Sequence, residues 1–208
     1  MNRNKLVVLV GALCAIVFAF SMVSNAMAAE DFKRWGFGVH GLYIDPDEDS
    51  DVAGLSVEPA ITPGITLEYF VTKNIGVELV AAVAKHDIEI NGKNVGSLWI
   101  LPPSLYAKYH FMVDSKISPY VGAGVNWVYA WDEKLTLNGV DGVDLDIDDS
   151  FGWAVKVGAD IALAENLFVN VDVMYLDVDT DMEIAGGAIK SDLEINPWVY
   201  SAGLRYRF

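Results

Sequence analysis

Leu204-Arg205-Tyr206-Arg207-Phe208 ends the chain. Apolar and polar residues alternate here up to a terminal aromatic ring. Chain ends of soluble domains are usually frayed and solvated, a poor place for a large ring. The last strand of a soluble sheet is one way to accommodate it. A transmembrane β-barrel is another: its last strand sends every second side chain into lipid and sets an aromatic girdle at the interface.

The same period of two runs backwards through the chain. Over 34–43, Trp35, Phe37, Val39 and Tyr43 share one face, and Arg34, His40 and Leu42 the other. Ile61, Ile65, Leu67 and Tyr69 stand against Thr62, Thr66 and Glu68. Ile75, Val77, Leu79 and Ala81 stand against Glu78, Val80, Ala82 and Ala84. A fourth strand covers 97–112, with Leu105, Ala107, Tyr109 and Phe111 opposite Tyr106, Lys108 and His110. Val121, Val125 and Trp127 then face away from Tyr120 and Asn126, and Trp153, Val155 and Val157 away from Lys156 and Asp160. Val169, Val171, Val173 and Tyr175 oppose Asn170, Asp172 and Met174. Trp198, Tyr200, Leu204, Tyr206 and Phe208 oppose Ser201, Arg205 and Arg207. The pattern predicts eight strands, an even number, as single-chain barrels have. Short connections at 72–74, 113–118 and 164–166 alternate with long ones at 45–57, 87–96, 132–150 and 178–192. That rhythm fits short periplasmic turns, long external loops and both termini in the periplasm.

The N-terminus points to export. Arg3 and Lys5 make a short basic region, 6–23 is almost unbroken apolar sequence, and Ala26-Met27-Ala28 supplies a small-x-small cleavage site. A single membrane anchor would have similar length, but no basic stop-transfer flank follows. Residues 1–28 are therefore read as a cleaved signal peptide and 29–208 as the mature domain. Cys14 is the sole cysteine and lies in this leader, preceded by Leu13 where a lipoprotein signal wants a small residue. The mature chain has no disulfide. Without the leader, lysine plus arginine fall from 14 to 12 against 29 acids, so the net charge moves from −15 to −17. Nucleic acid is excluded as a partner on that charge.

An eight-stranded barrel can also be a soluble ligand carrier, apolar inside and polar outside. Here one face is nearly all aliphatic and aromatic. The other carries Arg34, Glu68, Glu78, Lys108, Lys156, Asp160, Asp172, Arg205 and Arg207. A soluble core does not hide so many charges, whereas a narrow barrel lumen holds them as paired ions. The apolar face then meets lipid, and closure pairs every backbone group. The expected fold is an all-β, eight-stranded, antiparallel up-and-down transmembrane barrel. Trp35, Tyr109, Phe111, Tyr206 and Phe208 at one end, and Tyr43, Trp131, Phe151 and Trp153 near strand ends, are read as interfacial belts, with Tyr69 a less clean member.

Several stretches, in order, carry a family resemblance: Asn74-Ile75-Gly76-Val77-Glu78-Leu79, Leu101-Pro102-Pro103-Ser104-Leu105, Pro119-Tyr120-Val121-Gly122-Ala123-Gly124-Val125-Asn126, Tyr175-Leu176-Asp177-Val178-Asp179-Thr180, Asn196-Pro197-Trp198 and the C-terminal strand. With these the chain resembles the OmpW family of small outer-membrane barrels, AlkL-type proteins included. The ending also resembles the signal read by the outer-membrane barrel assembly machinery, which assigns that role to Tyr206 and Phe208. The resemblance implies passage of small hydrophobic molecules across the bacterial outer membrane. It also allows a second function, a surface-interaction barrel with a closed lumen whose loops act in adhesion or as a phage or colicin receptor.

An apolar solute needs apolar side chains on the otherwise polar face. Parity nominates Leu42, Val80, Ala82, Ala84, Met174 and Leu176, with Val80 and Met174 as the gate; the flexible thioether of Met suits an adaptable constriction. Pro102 and Pro103 cannot donate to a ladder, so the fourth strand must carry a gap or bulge there, a candidate sideways exit into lipid. Asp45, Asp47, Asp49 and Asp51 alternate, and 141–149 is rich in Asp, as hard cations prefer. The EF-hand pattern fails because Ser50 occupies its glycine position. These acids are read as a solvated surface facing lipopolysaccharide, and no metal or cofactor is expected. Only His40, His86 and His110 offer imidazoles, and no nucleophile motif surrounds them, so the chain is read as non-enzymatic.

Overall fold

A computed structural model describes residues 32–47, 49–50, 55–90, 93–137, 140–143, 145–147, 149–184 and 189–208. The expected leader and its cleavage site at 28 lie outside the described residues. The strands, in chain order, are β1 Trp35–Asp45, β2 Asp49–Ser50, β3 Leu55–Val57, β4 Ala60–Phe70, β5 Ile75–Ala82, β6 Ala84–Ile90, β7 Lys93–Leu101 and β8 Ser104–His110. Then come β9 Ile117–Leu137, β10 Val140–Val143, β11 Leu145–Ile147, β12 Ser150–Ala162, β13 Leu167–Leu176, β14 Asp179–Ile184, β15 Ile189–Glu194 and β16 Trp198–Arg207.

Eight of these close into a ring in the order β1, β4, β5, β8, β9, β12, β13, β16, and every neighbouring pair is antiparallel. The closing ladder joins the first barrel strand to the last, with Val39 opposite Leu204 and Phe37 opposite Tyr206. It is sealed at the chain end by paired hydrogen bonds between Trp35 and Phe208. Three tight connections sit at this end. In the one after β4, Val71 and Thr72 donate to the Ile75 carbonyl, and the Thr72 hydroxyl accepts from Asn74 N–H.

Burial inverts the pattern of a soluble barrel. Along β1 buried and exposed residues alternate strictly, and the exposed ones are apolar. Val39, Val157 and Leu204 are 53%, 57% and 51% exposed, while Glu68 and Arg205 are wholly buried. The charged face is thus the inside, as the alternation predicts.

The segments expected as long loops differ from expectation. Much of 45–57, 87–96, 132–150 and 178–192 continues as strand. β6 and β7 extend the third and fourth barrel strands, β9 runs on to Leu137, and β11, β14, β15 and β2 form a separate four-stranded sheet. Asp179-Thr180-Asp181-Met182-Glu183-Ile184 shows why these strands escaped notice: it has too little polarity contrast to look like a lipid-facing strand. Beyond the membrane neither face needs to be apolar, and backbone pairing alone suffices to continue the ladder. In this sheet Asp179 lies opposite Glu194, a like-charge register that lowers its stability.

Candidate functional site

The lumen has two storeys. In the lower one, nearer the termini, an eight-stranded ring leaves space only for side chains. Arg205 from β16 reaches the centre. Its Nη1 donates to both Asp160 oxygens at 3.1 Å and lies 2.8 Å from Glu68 Oε2, and its Nη2 donates to Glu78 Oε1. Lys108 Nζ donates to Glu68 and Glu78 at 3.0 Å each. Lys156 Nζ donates to Glu78 and stands 3.6 Å from Asp172. Arg207 joins at the edge, 3.5 Å from Asp160. Four carboxylates therefore face four cations, which is what permits so much charge to be dehydrated.

Eight of the nine charges nominated from parity meet in this cluster. Arg34 is placed elsewhere: its guanidinium donates to the Phe70 and Val71 carbonyls at 3.4 and 3.1 Å, at the barrel end. The cluster also recruits residues the sequence reading had put on the inward face without a role. His110 Nε2 lies 2.7 Å from Glu68 Oε1, Tyr120 donates to Asp172 at 2.8 Å, and Asn170 donates to Asp160 and to the Tyr120 oxygen. Lys108 Nζ sits 3.8 Å above the Tyr120 ring centre. Shared parity with the charges was the signal that could have found them. Inward glycines make the room. A Cβ on Gly158 would meet the Val171 carbonyl at 2.5 Å and the Tyr120 hydroxyl at 2.6 Å.

His40 stands between the storeys, its two ring nitrogens held by Thr66 Oγ1 at 3.1 Å and Ser201 Oγ at 3.2 Å. Above it the inward face turns apolar. Leu42, Val80, Ala82, Ala84, Met174 and Leu176, the six nominated residues, all line one cavity of about 70 Å³. Ile44, Ile100, Val128, Val178 and Val199 complete much of its wall. Ile44 and Val178 simply continue the parity of Leu42 and Leu176. Leu42, Val80 and Met174 also roof a narrow crevice that contains His40, Lys156 and Asp172. These three side chains are the partition between apolar cavity and ionic cluster.

The wall beside the cavity is broken. β5 pairs with β8 up to Val80 opposite Ser104, and β6 resumes with β7 at Ala84 opposite Ile100. Between them neither 81–83 nor 101–103 pairs across this seam, where Pro102 and Pro103 interrupt the strand. Pro102 itself lines the cavity. On the other flank the proline segment stays attached, since Trp127 N–H donates to the Pro103 carbonyl at 2.9 Å.

Aromatic pairs ring both ends. Trp35–Tyr69 and Tyr109–Phe111 lie 4.9 Å apart, and Tyr206–Phe208 6.4 Å, near the termini. Tyr43–Tyr200, Trp153–Tyr175–Trp198 and Trp127–Tyr129 ring the opposite end. The Trp131 side chain and Asp51 lie outside the described residues. No group of three His, Cys, Asp or Glu among the described residues is placed to hold a metal ion.

A closed antiparallel ring, apolar outside, aromatic at both rims and charged within, defines a bacterial outer-membrane β-barrel. Within that class the chain belongs to the OmpW family, whose model matches residues 41–208. It is 37% identical over 193 residues to outer membrane protein W of Escherichia coli, covering 87% of this chain and 89% of that one. It is 28% identical to outer membrane protein AlkL of Ectopseudomonas oleovorans, over 75% and 70% of the two chains. Among solved structures, OprG of Pseudomonas aeruginosa superposes with a TM-score of 0.76 at 30% identity, over 85% of this chain and 96% of that one.

Proposed function

We propose that this barrel is a passive channel for small hydrophobic molecules. The observation that carries the reading is the apolar cavity built into the outer half of an otherwise ionic lumen. A lumen that served only as a structural post would be filled with ion pairs from end to end, and here they fill only the lower half. Similarity to AlkL and outer membrane protein W supports the same reading. The solute enters from the external end and rests against Leu42, Val80 and Met174. It does not continue into the ionic storey, where it would displace charge pairs that cannot find water. It leaves sideways through the unpaired seam at Pro102 and Pro103 into the lipid. Tyr206 and Phe208 serve as the ending recognised by the assembly machinery, and the external acidic residues face lipopolysaccharide.

Solute flux tests this. The chain is refolded into liposomes, and entry of an alkane-like probe is compared with that of a small sugar, with empty liposomes and Met174→Arg alongside. Faster apolar entry that the variant abolishes is the expected result. The absence of protein-dependent entry of either probe overturns the channel and leaves the closed, loop-acting barrel.

A further inference from the structure

The cavity is not apolar all round. On the side formed by β8, β9 and β12 two serines line it, Ser104 and Ser150, each 3% exposed. Ser150 Oγ has no hydrogen-bond partner. Ser104 Oγ reaches the Pro102 carbonyl at 3.5 Å, the outer limit of a hydrogen bond. Between them on β9 is Asn126, opposite Ser104 in one ladder and opposite Gly152, two residues from Ser150, in the other. Its amide nitrogen donates to the Trp153 and Asp177 carbonyls at 3.0 Å each. Two carbonyl acceptors identify that atom as the nitrogen, so the oxygen is left over, buried and without a partner. Across the ring, β1 and β16 present only Leu42, Ile44 and Val199 to the cavity.

Leaving a buried hydroxyl unmet is costly, and among the described residues that line this cavity Ser150 is the one that carries an unmet side-chain group. We infer that the cavity takes amphipathic solutes bearing a single hydroxyl-class group, aligned with the polar end on the Ser104–Ser150 side and the alkyl tail along Leu42, Val199 and Met174. A hydroxyl donates and accepts, so it satisfies Ser150 whichever way the serine's own hydroxyl turns. A bare hydrocarbon fills the same space but leaves Ser150 unsatisfied. This inference rests on the channel reading and names its substrate class.

The test uses the full chain in lipid bilayers, labelled with carbon-13 at methionine methyl groups. Met174 lines the cavity, so its methyl resonance, assigned by its loss in Met174→Leu, reports filling. n-Hexane and 1-hexanol are titrated, each expressed as the concentration dissolved in protein-free bilayers equilibrated alongside. One hydrogen bond to an otherwise unmet group is worth roughly fivefold to tenfold in affinity. The expected result is half-saturation by 1-hexanol at least fivefold below n-hexane, a preference that Ser150→Ala erases and Ser150→Thr, which keeps the hydroxyl, restores. If n-hexane fills the cavity as readily as 1-hexanol, the inference is overturned and the channel reading stands. An alcohol preference untouched by Ser150→Ala also overturns it, since water or another group then meets these atoms. If neither solute moves the Met174 resonance, both readings fall.

Discussion

Arg205 is the residue on which the lower storey turns, because among the described residues it alone touches all of Glu68, Glu78 and Asp160. Removing it leaves Glu68, Glu78 and Asp160 one cation short in a dry interior. Truncating one partner of a buried charge network costs about 3–5 kcal/mol, so Arg205→Leu is expected to lose that much in urea unfolding of the refolded barrel. Arg207, held to Asp160 by one contact at 3.5 Å and partly exposed, is the comparison. Arg207→Leu is expected to cost less than Arg205→Leu, because it removes one ion-pair contact rather than three. Gly158 shows the steric side of the same packing. Gly158→Val forces a side chain into the Val171 carbonyl and the Tyr120 hydroxyl, and is expected to leave the barrel unfolded in the heat-shift assay on a denaturing gel. The charged residues were legible in the sequence because parity counts faces. Their partners were not, since which cation meets which acid depends on where strands far apart in sequence bring them. Arg34 had the parity of a lumenal charge and was still placed at the barrel end, as its position at the start of β1 leaves it beyond the cluster.

Among the elements, the proline-broken strand differs most from its neighbours. Pro102 and Pro103 announce a missing donor in any reading of the sequence, but not whether the neighbouring strands heal the gap. The structure leaves the β5–β6 side unpaired across the break while β9 holds the other side. Pro102→Val with Pro103→Val supplies two amide donors, which allows the seam to zip. Transfer of an apolar probe into liposome lipid is then expected to drop about tenfold, as a blocked exit requires. Unchanged transfer removes support for sideways release there. The strands beyond the barrel, β14 and β15 above all, were missed for a different reason. Period two is visible to a reader only where the two faces differ in polarity, and outside the membrane they need not.

At the scale of the molecule, the ionic storey acts as a plug. Planar bilayers carrying the barrel are expected to show no steady ion conductance. Glu78→Ala combined with Lys156→Ala removes two large side chains of opposite charge and is expected to open a small conductance; its persistence at the closed level would mean that Arg205 and Tyr120 suffice to seal the lumen. What the amino-acid order determined by itself is the barrel: alternation states which side chains share a face, and nine charges on one face with aromatic and aliphatic groups on the other leave only a membrane barrel with its charges inside. That conclusion needs no distances, because it rests on the cost of burying unpaired charge. The division of the lumen into an ionic floor and an apolar cavity needed the tertiary structure. Parity says that Val80 and Glu78 both point inward, but only the stagger of eight closed strands sets Val80 level with Leu42 and Met174, and sets Glu78 two residues lower among Lys108, Lys156 and Arg205.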